Sequence, residues 1–382
     1  MLKIAVLSIS SLIISFAAVA GVFPALIDAL GLSQMQGDLM MTIPALAVVI
    51  FIFVSNWVAP RIGIKQTVVL GMLLSGVGGI FPAFVQSFIP ILVSRFFLGA
   101  GVGLINTWAV RYITLLFDEK ERAKMMGYRS SAEIIGQTIV AILTSLLFPI
   151  GWHLGFLAYS IAFVGIFLII KYVPPVDFPQ DTNRTEKTKM PFAIYLLTIF
   201  AMLVVMAAAT IAFRYAAVAT EILGLDYNAS IMMSLWPSLS IVAALTFGKL
   251  NALLGRKLLY CGMILLITAS FISGFSAGNY WLVVLGLFLH GIVPAWIFPF
   301  IFMTAAKMTD GKTQSVAFSY IAAGIKIGVF SLSFNARLIE IIFKTTSLSA
   351  PYMVYGTMML LMLIFILVAG RRIVHQSYLV EK

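Results

Sequence analysis

Five ionisable side chains, Arg95, Arg111, Glu133, Arg214 and Lys326, fall inside runs that are otherwise apolar. An ionised group at the centre of a bilayer costs about 3 kcal/mol on insertion scales, so it faces protein, a water-filled cavity or a partner. Such residues answer the charge of a passing solute or relay protons. Arg129 lies near Glu133 at the inner mouth of the same segment, four residues away on one helical face, where the two can pair. Arg95, Arg111, Arg214 and Lys326 then have no acid at their own depth. Asp28, Asp38, Glu221 and Asp226 stand at outer helix ends within reach of Arg214. Arg111 reads either as functional or as a side chain snorkelling to the inner surface. Lys326 is central in its segment and is assigned to substrate binding. His290, beside Gly291 and Pro294, reads as a core histidine or, with Glu133, as a proton-coupling group. Trp108, Trp236, Trp296 and Tyr320 either pack or line a cavity; Trp296 and Tyr320 are taken as substrate contacts.

An apolar interior with surplus fixed cations favours an anionic solute, which supplies the missing countercharge. The same inventory speaks against an enzyme. It offers no metal-ligand cluster, no His–carboxylate constellation and no nucleophile–base pair, so neither metal nor cofactor is expected. Ala306-Lys-Met-Thr-Asp-Gly-Lys-Thr313 fits a relaxed phosphate-loop pattern. It joins two apolar segments and lacks the strand and nucleotide domain such a loop needs. With a single cysteine, Cys261, no intramolecular disulfide forms.

The elements that position these residues are membrane spans. The chain is 62% hydrophobic and 10% charged, with a mean hydropathy of +1.07, whereas soluble domains carry about 25% charged residues. Twelve apolar segments lie near 4–27, 38–59, 67–86, 88–116, 127–149, 154–173, 192–217, 229–250, 258–277, 280–306, 314–335 and 352–370. They are long enough to span as helices and too uniformly apolar for barrel strands. The first begins with Lys3 and reaches Ala18-Val-Ala20 as a signal peptide would. Its apolar run continues past Ala20, and it reads as a first transmembrane helix. The connecting segments on one side hold nearly all the Lys and Arg, and those on the other only Arg337 and Lys344. Both termini are therefore expected in the cytoplasm of a multi-pass plasma-membrane protein. The net charge of +11 then faces anionic lipid and requires no nucleic acid.

The two halves repeat. Gly63 and Lys65 recur as Gly255 and Lys257, Gly99 as Gly291, Asp118 and Lys120 as Asp310 and Lys312, Gly136 as Gly328, and Met40-Met41 as Met232-Met233. One offset of 192 aligns them all, in a chain of 382 residues. Between the halves lies the one long polar stretch, residues 174–191, rich in proline and charge, which reads as a linker. The expected organisation is a six-helix bundle over 1–173, the linker, a second bundle over 192–370 and a tail over 371–382.

Asn56-Trp-Val-Ala-Pro-Arg-Ile-Gly-Ile-Lys65 joins helices two and three, and Gly248-Lys-Leu-Asn-Ala-Leu-Leu-Gly-Arg-Lys257 joins helices eight and nine. With Arg95-Phe-Phe-Leu-Gly-Ala-Gly-Val-Gly103, Glu121–Gly127 and Gly151–Phe156, they resemble the major facilitator superfamily over nearly the whole chain. The second loop carries Gly248, Leu250, Gly255, Arg256 and Lys257 of the family's G-x-L-x-D-x-x-G-R-K signature, with Ala252 at the acid position. The first carries Arg61, Gly63 and Lys65, with Asn56 and Pro60 replacing the first glycine and the acid. The resemblance implies an all-α membrane protein of twelve helices in two pseudo-symmetric bundles. It also implies a secondary transporter working by alternating access, with helices one, four, seven and ten lining the cavity. Arg129, Gly63, Lys65, Gly255, Arg256 and Lys257 are then gating or structural residues. Arg95 either binds substrate or bonds to carbonyls of neighbouring helices. The expected cargo is a small anionic solute moved with protons by a monomer in the lipid bilayer. Proton-driven multidrug efflux is the alternative, although helix five lacks the dense glycine and proline pattern of the family's drug antiporters. A non-transporting sensor is the second alternative.

Overall fold

The structure is a computed structural model that describes residues 1–176, 190–309 and 311–378. The linker expected over 174–191 lies mostly outside the described residues, and nothing among them is a strand. Among the described residues eleven helices are long and apolar enough to cross a membrane, and a bent pair, taken as one span, makes twelve. In chain order they are α1 (Leu2–Leu12 with Ser15–Ala29), α2 (Gln34–Ile62), α3 (Ile64–Ala83), α4 (Phe88–Leu116), α5 (Glu119–Leu147) and α6 (Trp152–Tyr172). The second half comprises α7 (Phe192–Leu223), α8 (Ser230–Leu254), α9 (Lys257–Gly274), α10 (Tyr280–Met308), α11 (Gly311–Phe343) and α12 (Ala350–Tyr378). Two boundaries differ from the sequence reading. α5 starts at Glu119, which places Glu133 midway along it, and α12 runs on to Tyr378, through the segment expected as a tail.

Successive spans alternate in direction, so the start of α1 lies on one face, called here the terminal face. The start of α2 lies on the opposite, distal face. Helix starts are fixed by side-chain caps, which satisfy N–H groups that have no partner within the helix and contribute about 1 kcal/mol each. Ser33 and Gln36 form a capping box at the start of α2. Asp118 Oδ1 accepts from Glu121 N at 2.8 Å before α5, and Asn279 Oδ1 accepts from Trp281 N at 3.0 Å before α10. The terminal-face turns need positive φ and use glycine for it: Gly63 at 91° and Gly255 at 51°.

The repeat is visible in the packing. A Cβ on Gly99 of α4 would overlap the backbone of Pro44 in α2; one on Gly291 of α10 would come within 3.0 Å of the Trp236 carbonyl oxygen in α8. Pro44 and Trp236 are themselves 192 residues apart. Gly136 of α5 likewise meets the Ser11 carbonyl of α1, while Gly328 of α11 meets the Met202 carbonyl of α7, one residue from the matching register. Close approach at small residues is how helices associate where lipid offers no hydrophobic drive.

α1 is bent by 50° between its two parts. No proline causes this. Ser8, Ser11 and Ser15 donate to the carbonyls of Ala5, Ser8 and Leu12 at 2.8, 2.8 and 2.9 Å. Hydroxyls that bond the preceding turn compete with the helical ladder and bend it, and the chain from Ile9 to Val22 is mostly 3₁₀.

The helix contacts carry a direct test. Gly99→Val forces backbone against backbone and should lower the thermal midpoint of the purified protein by several degrees; overpacking of a tight core costs about 1–3 kcal/mol. At Gly127 an added Cβ would meet no neighbour within 4 Å, so this position should accept alanine with no change.

Candidate functional site

Arg95 is fully buried in α4. Its Nη2 donates to the Phe16 carbonyl at 2.7 Å, Nε to the Met40 carbonyl at 3.3 Å and Nη1 to the Tyr159 hydroxyl at 3.3 Å. The Tyr159 hydroxyl in turn donates to Ser15 O at 3.0 Å. Each acceptor has a local cause. Phe16 and Ser15 lie where α1 is unwound. Met40 O is free because Pro44, four residues on, has no N–H to give it. Arg95 therefore ties α4 to the broken part of α1, to α2 and to α6, with the rings of Phe23 and Tyr159 beside it at 5.8 and 5.9 Å.

The Phe16 side chain faces the other bundle. Lys326 Nζ of α11 lies 5.0 Å from its ring centroid, a cation–π contact. Among the described residues no ion pair reaches this ammonium, and Glu133 of α5 is the carboxylate within its electrostatic reach. Glu133 is itself paired with Arg129, Oε1 to Nη2 at 2.7 Å, within one helix face. Phe16 thus meets Arg95 through its carbonyl and Lys326 of the other bundle through its ring, and Glu133 lies within electrostatic reach of Lys326.

The other predicted residues stand apart from this group. His290 of α10 is buried, its Nδ1 has no hydrogen-bond partner, and its ring lies 5.2 Å from that of Trp236. The Trp296 Nε1 is buried and also without a hydrogen-bond partner. Tyr320 of α11 is 43% exposed and meets the ring of Tyr195 at 5.6 Å. No contact among the described residues joins Trp296 or Tyr320 to Lys326. On the terminal face Lys65 Nζ donates to Ile170 O at 2.9 Å, which fastens the start of α3 to the end of α6. Arg256 and Lys257 are exposed at the α8–α9 turn.

The distal ends of the bundles are joined by polar contacts. Arg214 Nη2 of α7 meets Asp38 Oδ2 of α2 at 2.8 Å, with 5% and 11% of the two side chains exposed. Arg214 Nη1 also donates to Leu348 O at 3.3 Å, and Gln34 Nε2 donates to Asp38 Oδ1 at 2.9 Å. One turn deeper, the hydroxyls of Thr42 and Ser333 are 3.0 Å apart. Asn228 Nδ2 donates to Ser145 O at 2.8 Å, joining the α7–α8 connection to the end of α5. The cavity enclosed beside the ion pair measures 20 Å³, room for about one water. Above it the distal face holds a depression of 450 Å³ bordered by Asp28, Gln34, Glu221 and Leu348. The sequence offered Asp38 as one of four candidates for Arg214; the links Thr42–Ser333 and Asn228–Ser145 had no local signal. With Arg214 neutralised by Asp38 and Arg95 held by carbonyls, the interior is less electropositive than the sequence suggested. Of Arg95, Arg214 and Lys326, Lys326 is the one with neither an ion pair nor a hydrogen bond to its charge among the described residues.

The sequence profile of the Major Facilitator Superfamily matches residues 5–250. The chain is 26% identical over 158 residues to a Protein TsgA homolog of Buchnera aphidicola, covering 41% of this chain and 40% of that protein. It is 28% identical over 144 residues to the probable L-galactonate transporter of Escherichia coli, 37% and 31% of the two chains. It is 24% identical over 155 residues to the arabinose-proton symporter of Escherichia coli, 41% and 33%. The chain spans well under two thirds of the length of these curated relatives. Solved structures match it along its length. A mutant of the nucleoside transporter NupG superposes with a TM-score of 0.78 at 13% identity, covering 95% and 98% of the two chains. The inward-open xylose transporter XylE of Escherichia coli superposes with a TM-score of 0.73 at 14% identity, covering 96% and 95%. At these identities the shared property is the fold.

The distal contacts predict a lock. Cysteines placed at Thr42 and Ser333, in a background with Cys261 removed, should cross-link under mild oxidation. Transport by the cross-linked protein should fall at least tenfold and recover on reduction. A cross-linked protein that transports at full rate would show that the distal contact does not open during the cycle.

Proposed function

The chain belongs to the Major Facilitator Superfamily, and on that premise we propose that it carries a small organic anion across the plasma membrane together with protons. The fold and family are those of a transporter, so the bundles are expected to rock about a central site, opening to one face at a time. The proposal places both termini and the linker in the cytoplasm and the protein in the membrane as a monomer.

The observation that carries the anion reading is Lys326. Its ammonium stands between the bundles with a ring face at 5.0 Å and without an ion pair among the described residues. A cation drawn partly out of water without an ion pair is costly, and a substrate carboxylate bound there lowers that cost. Glu133, shared electrostatically between Arg129 and Lys326, is the natural proton carrier. When substrate neutralises Lys326, the carboxylate loses part of its stabilisation and takes a proton more readily. Two relatives agree with the reading by name, one a probable transporter of the sugar acid L-galactonate and one a proton symporter. In this scheme Arg95 acts through the shape of α1, by holding the Phe16 carbonyl.

Uptake of small carboxylates, galactonate among them, into proteoliposomes tests the proposal. Lys326→Ala should reduce uptake at least tenfold, while Arg61→Ala at the terminal face should stay within twofold of the parent. Glu133→Gln should keep substrate exchange and lose accumulation driven by a pH gradient. Full uptake by a correctly folded Lys326→Ala protein would overturn the anion reading, and unchanged gradient-driven accumulation would remove Glu133 and leave His290.

A further inference from the structure

The buried ion pair at the distal gate has features that a simple clasp does not need. Arg214 uses one nitrogen for the Asp38 carboxylate and another for a carbonyl, that of Leu348. Asp38 is the fifth residue of α2, roughly 6 Å below the helix start at 1.5 Å per residue. Two phenols of α12 border the pair. Tyr352 and Tyr355 are both buried; the Tyr352 hydroxyl has no hydrogen-bond partner, and the Tyr355 hydroxyl lies beside Asn335. Tyr355 lines the small cavity with Asp38, Thr42, Thr210 and Arg214, and Tyr352 lies within electrostatic reach of both charges. The surroundings therefore supply a guanidinium and two phenolic donors, of which the resident carboxylate uses the guanidinium alone.

We propose that Arg214 is a carboxylate-binding site that Asp38 fills while the distal gate is shut, and that the substrate's carboxylate takes the place of Asp38 as the gate opens, a separate stop from the one at Lys326. The inference rests on the organic-anion reading given above. An arginine recognises any carboxylate through the same planar fork of donors, so Asp38 and a substrate carboxylate are interchangeable partners for it. Separation of α2 from α7 leaves Arg214 unpaired unless another anion arrives, and a carboxylate that binds there lowers the cost of opening. The phenols of Tyr352 and Tyr355 then gain acceptors. The closed cavity has no room for a ligand, so exchange happens only as the bundles part. Asp28 and Glu221 at the mouth add negative charge, which works against a bare halide and leaves the site to a solute with further contacts of its own.

Binding to the purified full chain tests this, with gluconate as the carboxylate probe and chloride as the control. Asp38→Asn uncovers Arg214 and should bind gluconate at least tenfold more tightly than the parent. Adding Arg214→Gln should abolish that gain, and chloride should bind none of the three measurably. Parental affinity in Asp38→Asn, or a gain that survives Arg214→Gln, would overturn the inference while the parent still bound gluconate. Failure of the organic-anion reading looks different: neither the parent nor any variant binds a carboxylate. Should Asp38→Asn fold poorly, the Thr42→Cys, Ser333→Cys protein, which keeps Asp38 and Arg214, gives a second readout. Saturating gluconate should slow its cross-linking severalfold, and an unchanged rate would overturn the proposal.

Discussion

A charge carried into hydrocarbon has to be answered by something, and the arrangement of this molecule follows from how few answers the sequence supplies. Arg95 is answered by the carbonyl of Phe16, in the 3₁₀ part of α1, and by that of Met40, which Pro44 leaves without a helical donor. Arg214 is answered by a carboxylate of the other bundle, so separation of the distal ends leaves Arg214 with the Leu348 carbonyl and Asp38 with Gln34, and neither with an opposite charge. Glu133 is answered along its own helix by Arg129. Breaking a buried pair by removing one partner costs about 3–5 kcal/mol, enough in the proposed cycle to decide which face is closed.

The repeat shows that the gate is asymmetric. Shifted by 192 residues, the contact between Asp38 of α2 and Arg214 of α7 becomes one between Ser230 of α8 and Val22 of α1. A close contact does occur there: a Cβ on Gly21 would overlap Ser230. One wall of the distal closure is thus a buried ion pair and its pseudo-symmetric partner is a neutral close approach of glycine to serine. An ion pair is lost over a short separation and can be exchanged for another charge, whereas small residues in van der Waals contact can slide and stay packed. In the proposed cycle the two walls therefore suit different parts, latch and pivot.

Glycines and charges are scarce in so apolar a chain, and this is why the repeat is legible in the sequence alone. The 192-residue offset recurs in space as Gly99 on Pro44 and Gly291 on Trp236. Spacing also suggests that Arg129 and Glu133 share a helix face, as they do. The break in α1 is hidden because hydropathy reads residues 4–27 as one run; the serines at 8, 10, 11 and 15 are the available signal. Pro44 likewise points to a free carbonyl at Met40, an acceptor for Arg95. The choice of Asp38 for Arg214 is not legible at all. Four acids stand at the outer helix ends, and the pairing across 176 residues is fixed by which helices meet in the closed state.

Among the described residues the Asp38–Arg214 pair is the ion pair that joins the two bundles, and it does so at the distal face. Exchange of the two charges measures this most directly, with transport and folded yield compared for Asp38→Arg, Arg214→Asp and the double exchange. Each single exchange places two like charges together in a dry interface and is predicted to lose at least nine-tenths of both quantities, whereas the double exchange should restore a large part of them. A double exchange no better than either single would contradict the role given to the pair.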